Sequence, residues 1–176
     1  GTSMSLTLTI LGCGSSGGVP RIGGNWGACD PANPKNRRRR ASALIQRKGG
    51  GDGGELGKTT VLIDSSPDIR EQLLSTGIGL LDGVVYTHDH ADHTHGIDDL
   101  RAIAFNAKRK VSVYFDAATR ASLTTRFPYC FRSDPGSDYP PILEPHDISP
   151  GTPVRIDGRG GRSGRRPDGG GLRRAR

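Results

Sequence analysis

Thr87-His88-Asp89-His90-Ala91-Asp92-His93 is the stretch on which the reading of this chain turns. It follows Val84-Val85-Tyr86, an apolar run that, with Gly83 and Thr87 at its ends, reads as a short strand stopping directly at the histidines. Four of the five histidines of the chain, His88, His90, His93 and His95, fall within eight residues. A solvated polar turn or a helix cap are the bland explanations. Three imidazoles and an acid at the exit of a buried strand instead form a metal-ligand set. On such a loop His88 and His90 project to one side and can grip one cation, while Asp92 and His93, further round, turn toward a second. Imidazole and carboxylate donors suit zinc, manganese or iron. Two ions about 3.5–4 Å apart can activate a shared water and clamp both oxygens of a displacement, which makes Asp92 and His93 candidate catalytic residues as well as ligands. Asp89 can hydrogen-bond a ligand imidazole from behind. His95 reads as a surface or helix-start residue, and Asp64, at a strand end, as an acid that orients the metal loop.

Working outward, Ser5–Leu11 alternates Leu6, Leu8 and Ile10 with threonines, the period of a strand with one buried face. It runs into Gly12-Cys13-Gly14-Ser15-Ser16-Gly17-Gly18-Val19-Pro20. That loop either offers backbone N–H groups to a phosphate or simply needs glycines to turn. Residues 21–40 form a long loop closed by Arg37–Arg40, a solvated charge run with the steering of an anionic substrate as the alternative. Ala41–Arg47 and Thr59–Asp64 read as strands joined through a glycine-rich connection at 49–54. Ser66 and Pro67 open a helix that stops at Gly77. A helix over Ile97–Phe105, a strand over Lys110–Phe115, a helix over Ala117–Phe127 stopped by Pro128, and a strand at Val154–Asp157 complete the pattern. Alternating strands and helices give an α/β or layered α+β class.

The 176 residues are lean in apolar side chains, at 32%, and carry 27 glycines and 12 prolines, which leaves room for one domain and substantial loop. The net charge of +7 invites a nucleic-acid reading, but residues 158–176 hold seven arginines against one acid, so the first 157 residues carry only +1. We therefore expect a domain over 1–157 and a Gly/Arg-rich tail over 158–176 that is disordered or the product of a shifted reading frame. Nucleic acid is not the expected partner. No run approaches a membrane span, and no export signal is visible. Cys13, Cys29 and Cys130 lack paired spacing and suit reduced thiols in the cytoplasm. Cys13 and Cys130 read as small core residues.

Thr87–His93 resembles the motif of the metallo-β-lactamase fold. The resemblance extends through Leu11–Pro20, Leu62-Ile63-Asp64 and Gly96-Ile97-Asp98-Asp99-Leu100-Arg101 to the PhnP-like branch of cyclic phosphodiesterases, over about residues 5–157. It implies an αββα sandwich and two divalent metal ions, zinc or manganese, with His88 and His90 on one ion and Asp92 and His93 on the other. The implied substrate is a small phosphate-containing molecule, nucleotide-like or cyclic, cleaved by a metal-dependent phosphodiesterase, with no membrane involved and a homodimer left open. Relatives complete the site with a third histidine, a bridging aspartate and a last histidine from the second half of the fold. Here His146 precedes the expected strand, and Asp168 sits in the Gly/Arg-rich segment. The expectation is thus the first half of the fold, with a truncated non-catalytic fragment holding a partial metal site as the alternative. Only Cys29 falls within residues 20–32, so the structural zinc some relatives carry there is not expected.

Overall fold

The computed structural model describes residues 3–49 and 57–158. The glycine-rich connection after Gly49 and the Gly/Arg-rich segment after Gly158 lie outside the described residues. The elements are β1 Ser5–Gly12, β2 Ser42–Lys48, β3 Lys58–Ile63, α1 Ile69–Thr76, β4 Gly83–Val85, α2 Ala91–Thr94, α3 Leu100–Ala107, β5 Val111–Phe115, α4 Ala117–Arg126, α5 Pro128–Phe131 and β6 Leu143–Asp147.

The six strands form one sheet in chain order. β1, β2 and β3 pair antiparallel, and β3 through β6 pair parallel. β1, β3, β4, β5 and β6 therefore all end at the same edge, where open α/β sheets place their ligands. Leu44, Leu62, Val84, Val113, Phe115 and Leu143 line one face and are at most 1% exposed. Ile69 and Leu73 of α1, Leu100 and Ile103 of α3, and Leu123 of α4 join them in one apolar core. This mixed α/β layering fits the expected fold class.

The opposite face differs from expectation at β1. Leu6, Leu8 and Ile10 are 69%, 62% and 60% exposed, and Leu11 is the apolar residue of this strand that enters the core. Their alternation is that of a buried face, but no described element lies over it there. Other boundaries shift for local reasons. α1 starts at Ile69 because Ser66 is engaged in a turn, where its hydroxyl accepts from the Asp68 N–H at 3.1 Å and donates to Gln72 Oε1 at 2.7 Å. Pro128 ends α4 but also opens α5, where a missing N–H costs nothing. Among the described residues the last strand is Leu143–Asp147, not Val154–Asp157. Pro145 obscures it, and an edge strand tolerates proline. Residues 154–157 run without regular structure, with the Ile156 side chain packed on Gly83. No helix among the described residues is long and apolar enough to cross a membrane.

Candidate metal centre

Two strand ends build the site. β3 stops at Ile63, and Asp64 takes a left-handed conformation at φ 59°, which a short polar side chain tolerates. This carboxylate is buried, and three donors converge on it. Oδ1 accepts from the Thr87 N–H at 2.8 Å, while Oδ2 accepts from the Thr87 hydroxyl at 2.7 Å and pairs with His93 Nδ1 at 2.7 Å. The Thr87 oxygen also lies 2.8 Å from His88 Nδ1. Since that hydroxyl spends its proton on Asp64, it can only accept from His88. Both imidazoles therefore carry a proton on Nδ1, so that a cation would be met through Nε2 of each.

The remaining ligand candidates gather around this pair. The His88 ring lies 4.2 Å from that of His93 and 4.6 Å from that of His90, centroid to centroid. Asp92 Oδ2 stands 3.3 Å from His93 Nε2. Asp92 and His93 sit on the single turn of α2, which the buried Thr94 ties down by donating to the His90 carbonyl at 2.9 Å. The turn then returns tightly against the chain after β3. A Cβ on Gly96 would stand 2.0 Å from the Ser66 carbonyl, so only glycine fits. Beside them lies a buried polar pair, Ser65 Oγ and Tyr86 Oη at 2.6 Å. Burial drives the Tyr86 phenol far above its ordinary value despite the opposing hydrogen bond from Ser65, so it stays neutral as part of a fixed floor.

The structure thus brings His88, His90, Asp92 and His93 together at the end of β4, with His90 on the exposed rim. Among the described residues, donor atoms of Asp64, His88 and His93 lie within 4.8 Å of one another. We assign Asp64 to orientation instead of ligation, because three of its roughly four lone-pair directions are already taken. Asp89 does not support an imidazole. Its hydrogen bond with Ser122, helped by the charge of Arg126, holds its carboxyl below the ordinary range and turns it toward α4. His95 packs edge-on against Phe127. His146 stacks on Tyr114 at 4.7 Å and meets Ser112 Oγ at 3.2 Å. Cys13 is exposed, contrary to its reading as a core residue, because the glycine loop carries it out of β1 to the Arg38 guanidinium at 3.0 Å. Cys130 is buried, and burial pushes its thiol up to about 11. Sequence reasoning missed Thr87. Its signal was a hydroxyl immediately before the first histidine.

Comparison with known proteins places this geometry in a family. The Beta-lactamase superfamily domain matches residues 59–164. An octanoyltransferase from Porphyromonas gingivalis is 37% identical over 149 residues, which are 84% of this chain and 28% of that protein. A crystal structure described as a new diphosphatase from the PhnP family is 36% identical and superposes with a TM-score of 0.66 over 84% of this chain and 52% of its own. The zinc-bound PqqB of Methylobacterium extorquens, at 19% identity and a TM-score of 0.50 over 81% of this chain and 46% of its own, shares the fold. The chain spans about half the length of these structural relatives and less of the curated one. With its mixed sheet, its histidine loop at the end of β4 and its match over residues 59–164, the chain belongs to the beta-lactamase superfamily and has the metallo-β-lactamase fold.

Proposed function

We propose that this protein is a metal-dependent hydrolase that cleaves a phosphodiester in a nucleotide-like or cyclic phosphate, using two divalent ions, zinc or manganese. One observation carries the reading: Asp64 and Thr87 engage Nδ1 of His93 and His88, whose rings lie 4.2 Å apart, so that Nε2 of each is left to meet a cation. Neutral imidazoles beside a carboxylate fit such ions. His88 and His90 would hold one, and Asp92 and His93 the other. Bound there, the ions would supply Lewis acidity and an acidified water. The chain's own residues do the positioning. Asp64 holds the His93 ring, Thr87 holds the His88 ring, and Asp92 offers a carboxylate that can take a proton at the reacting face. The relative described as a diphosphatase, at 36% identity, supports phosphorus–oxygen cleavage. Three free thiols suit a reducing cytoplasm.

Hydrolysis of bis(p-nitrophenyl) phosphate, with zinc or manganese added, tests the proposal. Turnover should vanish with EDTA and largely vanish in His88→Ala. The second reading, a metal-binding chain without turnover, draws on the donor count. Each ion receives two protein donors from the cluster, whereas catalytic zinc usually has three plus water. Metal uptake without hydrolysis would select that reading.

A further inference from the structure

We propose that the turn Ser15–Gly18, flanked by Arg21 and Arg38, is a subsite for a phosphate dianion, taking a second, non-scissile phosphate of the substrate. The link to a substrate rests on the hydrolase reading; the anion site itself does not. The loop is held from behind: Gly14 N–H donates to the Arg39 carbonyl at 2.8 Å, Gly18 N–H to the Ser15 carbonyl at 2.8 Å and Val19 N–H to the Arg38 carbonyl at 2.9 Å. The three amides between, those of Ser15, Ser16 and Gly17, have no acceptor among the described residues. Successive unpaired N–H groups on a turn form an anion-binding concavity.

The surrounding cations sort into engaged and free. Arg40 forks onto Asp68 at 2.7 and 3.1 Å, Arg39 donates to the Leu11 carbonyl, and Arg37 lies over the Trp26 ring. The Arg21 side chain has no acidic or hydrogen-bond partner among the described residues, and the Arg38 side chain has only Cys13 Sγ. Both lie against the loop. The Arg21 side chain crosses Gly17, its Cγ, Cδ and Nε lying 3.0–3.3 Å from where a Cβ would stand, while Arg38 reaches Cys13 at 3.0 Å, at the start of the same loop. Asp30 is the sole acid between residues 13 and 41, against six basic residues. Two uncompensated guanidiniums and three open amides suit the charge and donor demand of a phosphate.

The subsite lies on the metal edge of the sheet. Gly12 pairs with Ser42, whose hydroxyl donates to the Asp64 carbonyl at 2.8 Å. With strands about 4.8 Å apart, the root of the loop stands roughly 10 Å from Asp64 and roughly 15 Å from β4, which leads into His88. A substrate with its scissile group at the histidines and a second phosphate that far away would span both.

The test uses the full chain, metal-free in EDTA, titrated with inorganic phosphate at constant ionic strength and followed by ¹⁵N NMR. Saturable shifts are expected at the Ser15, Ser16 and Gly17 amides and at the Arg21 and Arg38 Nε–H groups, with Arg38→Gln and Arg21→Gln each weakening binding about tenfold. Phosphate should also slow thiol labelling of Cys13 in the unaltered chain. Non-saturating shifts spread over Arg70, Arg109 and Arg120, shifts confined to residues 159–176, or equal effects from acetate would overturn the proposal. No metal or turnover enters this measurement, so it stands or falls separately from the hydrolase reading.

Discussion

Asp64→Asn isolates the tautomer argument. Asparagine keeps the shape of the side chain and tolerates the positive φ, so the backbone turn survives. Its oxygen can still accept from the Thr87 N–H, but its NH₂ now faces the Thr87 hydroxyl and His93 Nδ1, both of which it meets as a donor. His93 Nδ1 must then accept, and the Thr87 hydroxyl, once accepting, must give its proton to His88 Nδ1. Both imidazoles switch their proton to Nε2, the atom facing the cation. Losing such orienting partners costs about 10–100-fold in metal affinity, or about 1.4–2.7 kcal/mol. The metal-free fold should suffer less, about 1–2 kcal/mol, because every polar atom keeps a partner. Competition with a chromophoric chelator measures the first quantity and thermal melting in EDTA the second. Unchanged affinity in a folded Asp64→Asn protein would refute the reasoning.

Further outcomes follow from burial and charge. Leu62→Ala should cost about 2–5 kcal/mol in denaturant unfolding, whereas Leu8→Ala, at a position 62% exposed, should cost about 0.5 kcal/mol or less; equal costs would mean that something covers the β1 face. Burial alone would raise the Asp68 carboxyl, but its hydrogen bonds to Arg40 and the charges of Arg40 and Arg39 outweigh this and hold it below 3.8. Its contribution is therefore complete above that value and lost as pH falls toward the lowered one. The stability gap between the unaltered chain and Asp68→Asn, about 1 kcal/mol at neutral pH, should close only in that acid window, and a gap independent of pH would contradict the assignment. Native-state thiol labelling should modify exposed Cys13 rapidly and leave Cys130, buried with its thiol pushed up to about 11, untouched until unfolding.

Much of this was legible because strong local signals agreed with the fold. The histidine loop followed an apolar strand, and Gly77 stopped α1 in the left-handed conformation that glycine favours. What escaped depended on partners distant in sequence. β6 hid behind Pro145, which only its edge position permits. The alternation of Leu6, Leu8 and Ile10 marks a strand, but periodicity cannot say what covers a face. Asp89 sat nearest the histidines in sequence, yet α4 claims it. Asp64 is legible as an acid that orients the metal loop, but its partners Thr87 and His93, 23 and 29 residues further on, are not.

Long-range ¹H–¹⁵N NMR of the imidazoles during titration with zinc reads the tautomers and the ligand atoms directly. Nδ1–H tautomers are expected at His88 and His93 before metal is added, and coordination through Nε2 of both as zinc binds. Zinc-induced shifts at His95 or His146, with His88 and His93 unmoved or bound through Nδ1, would contradict it.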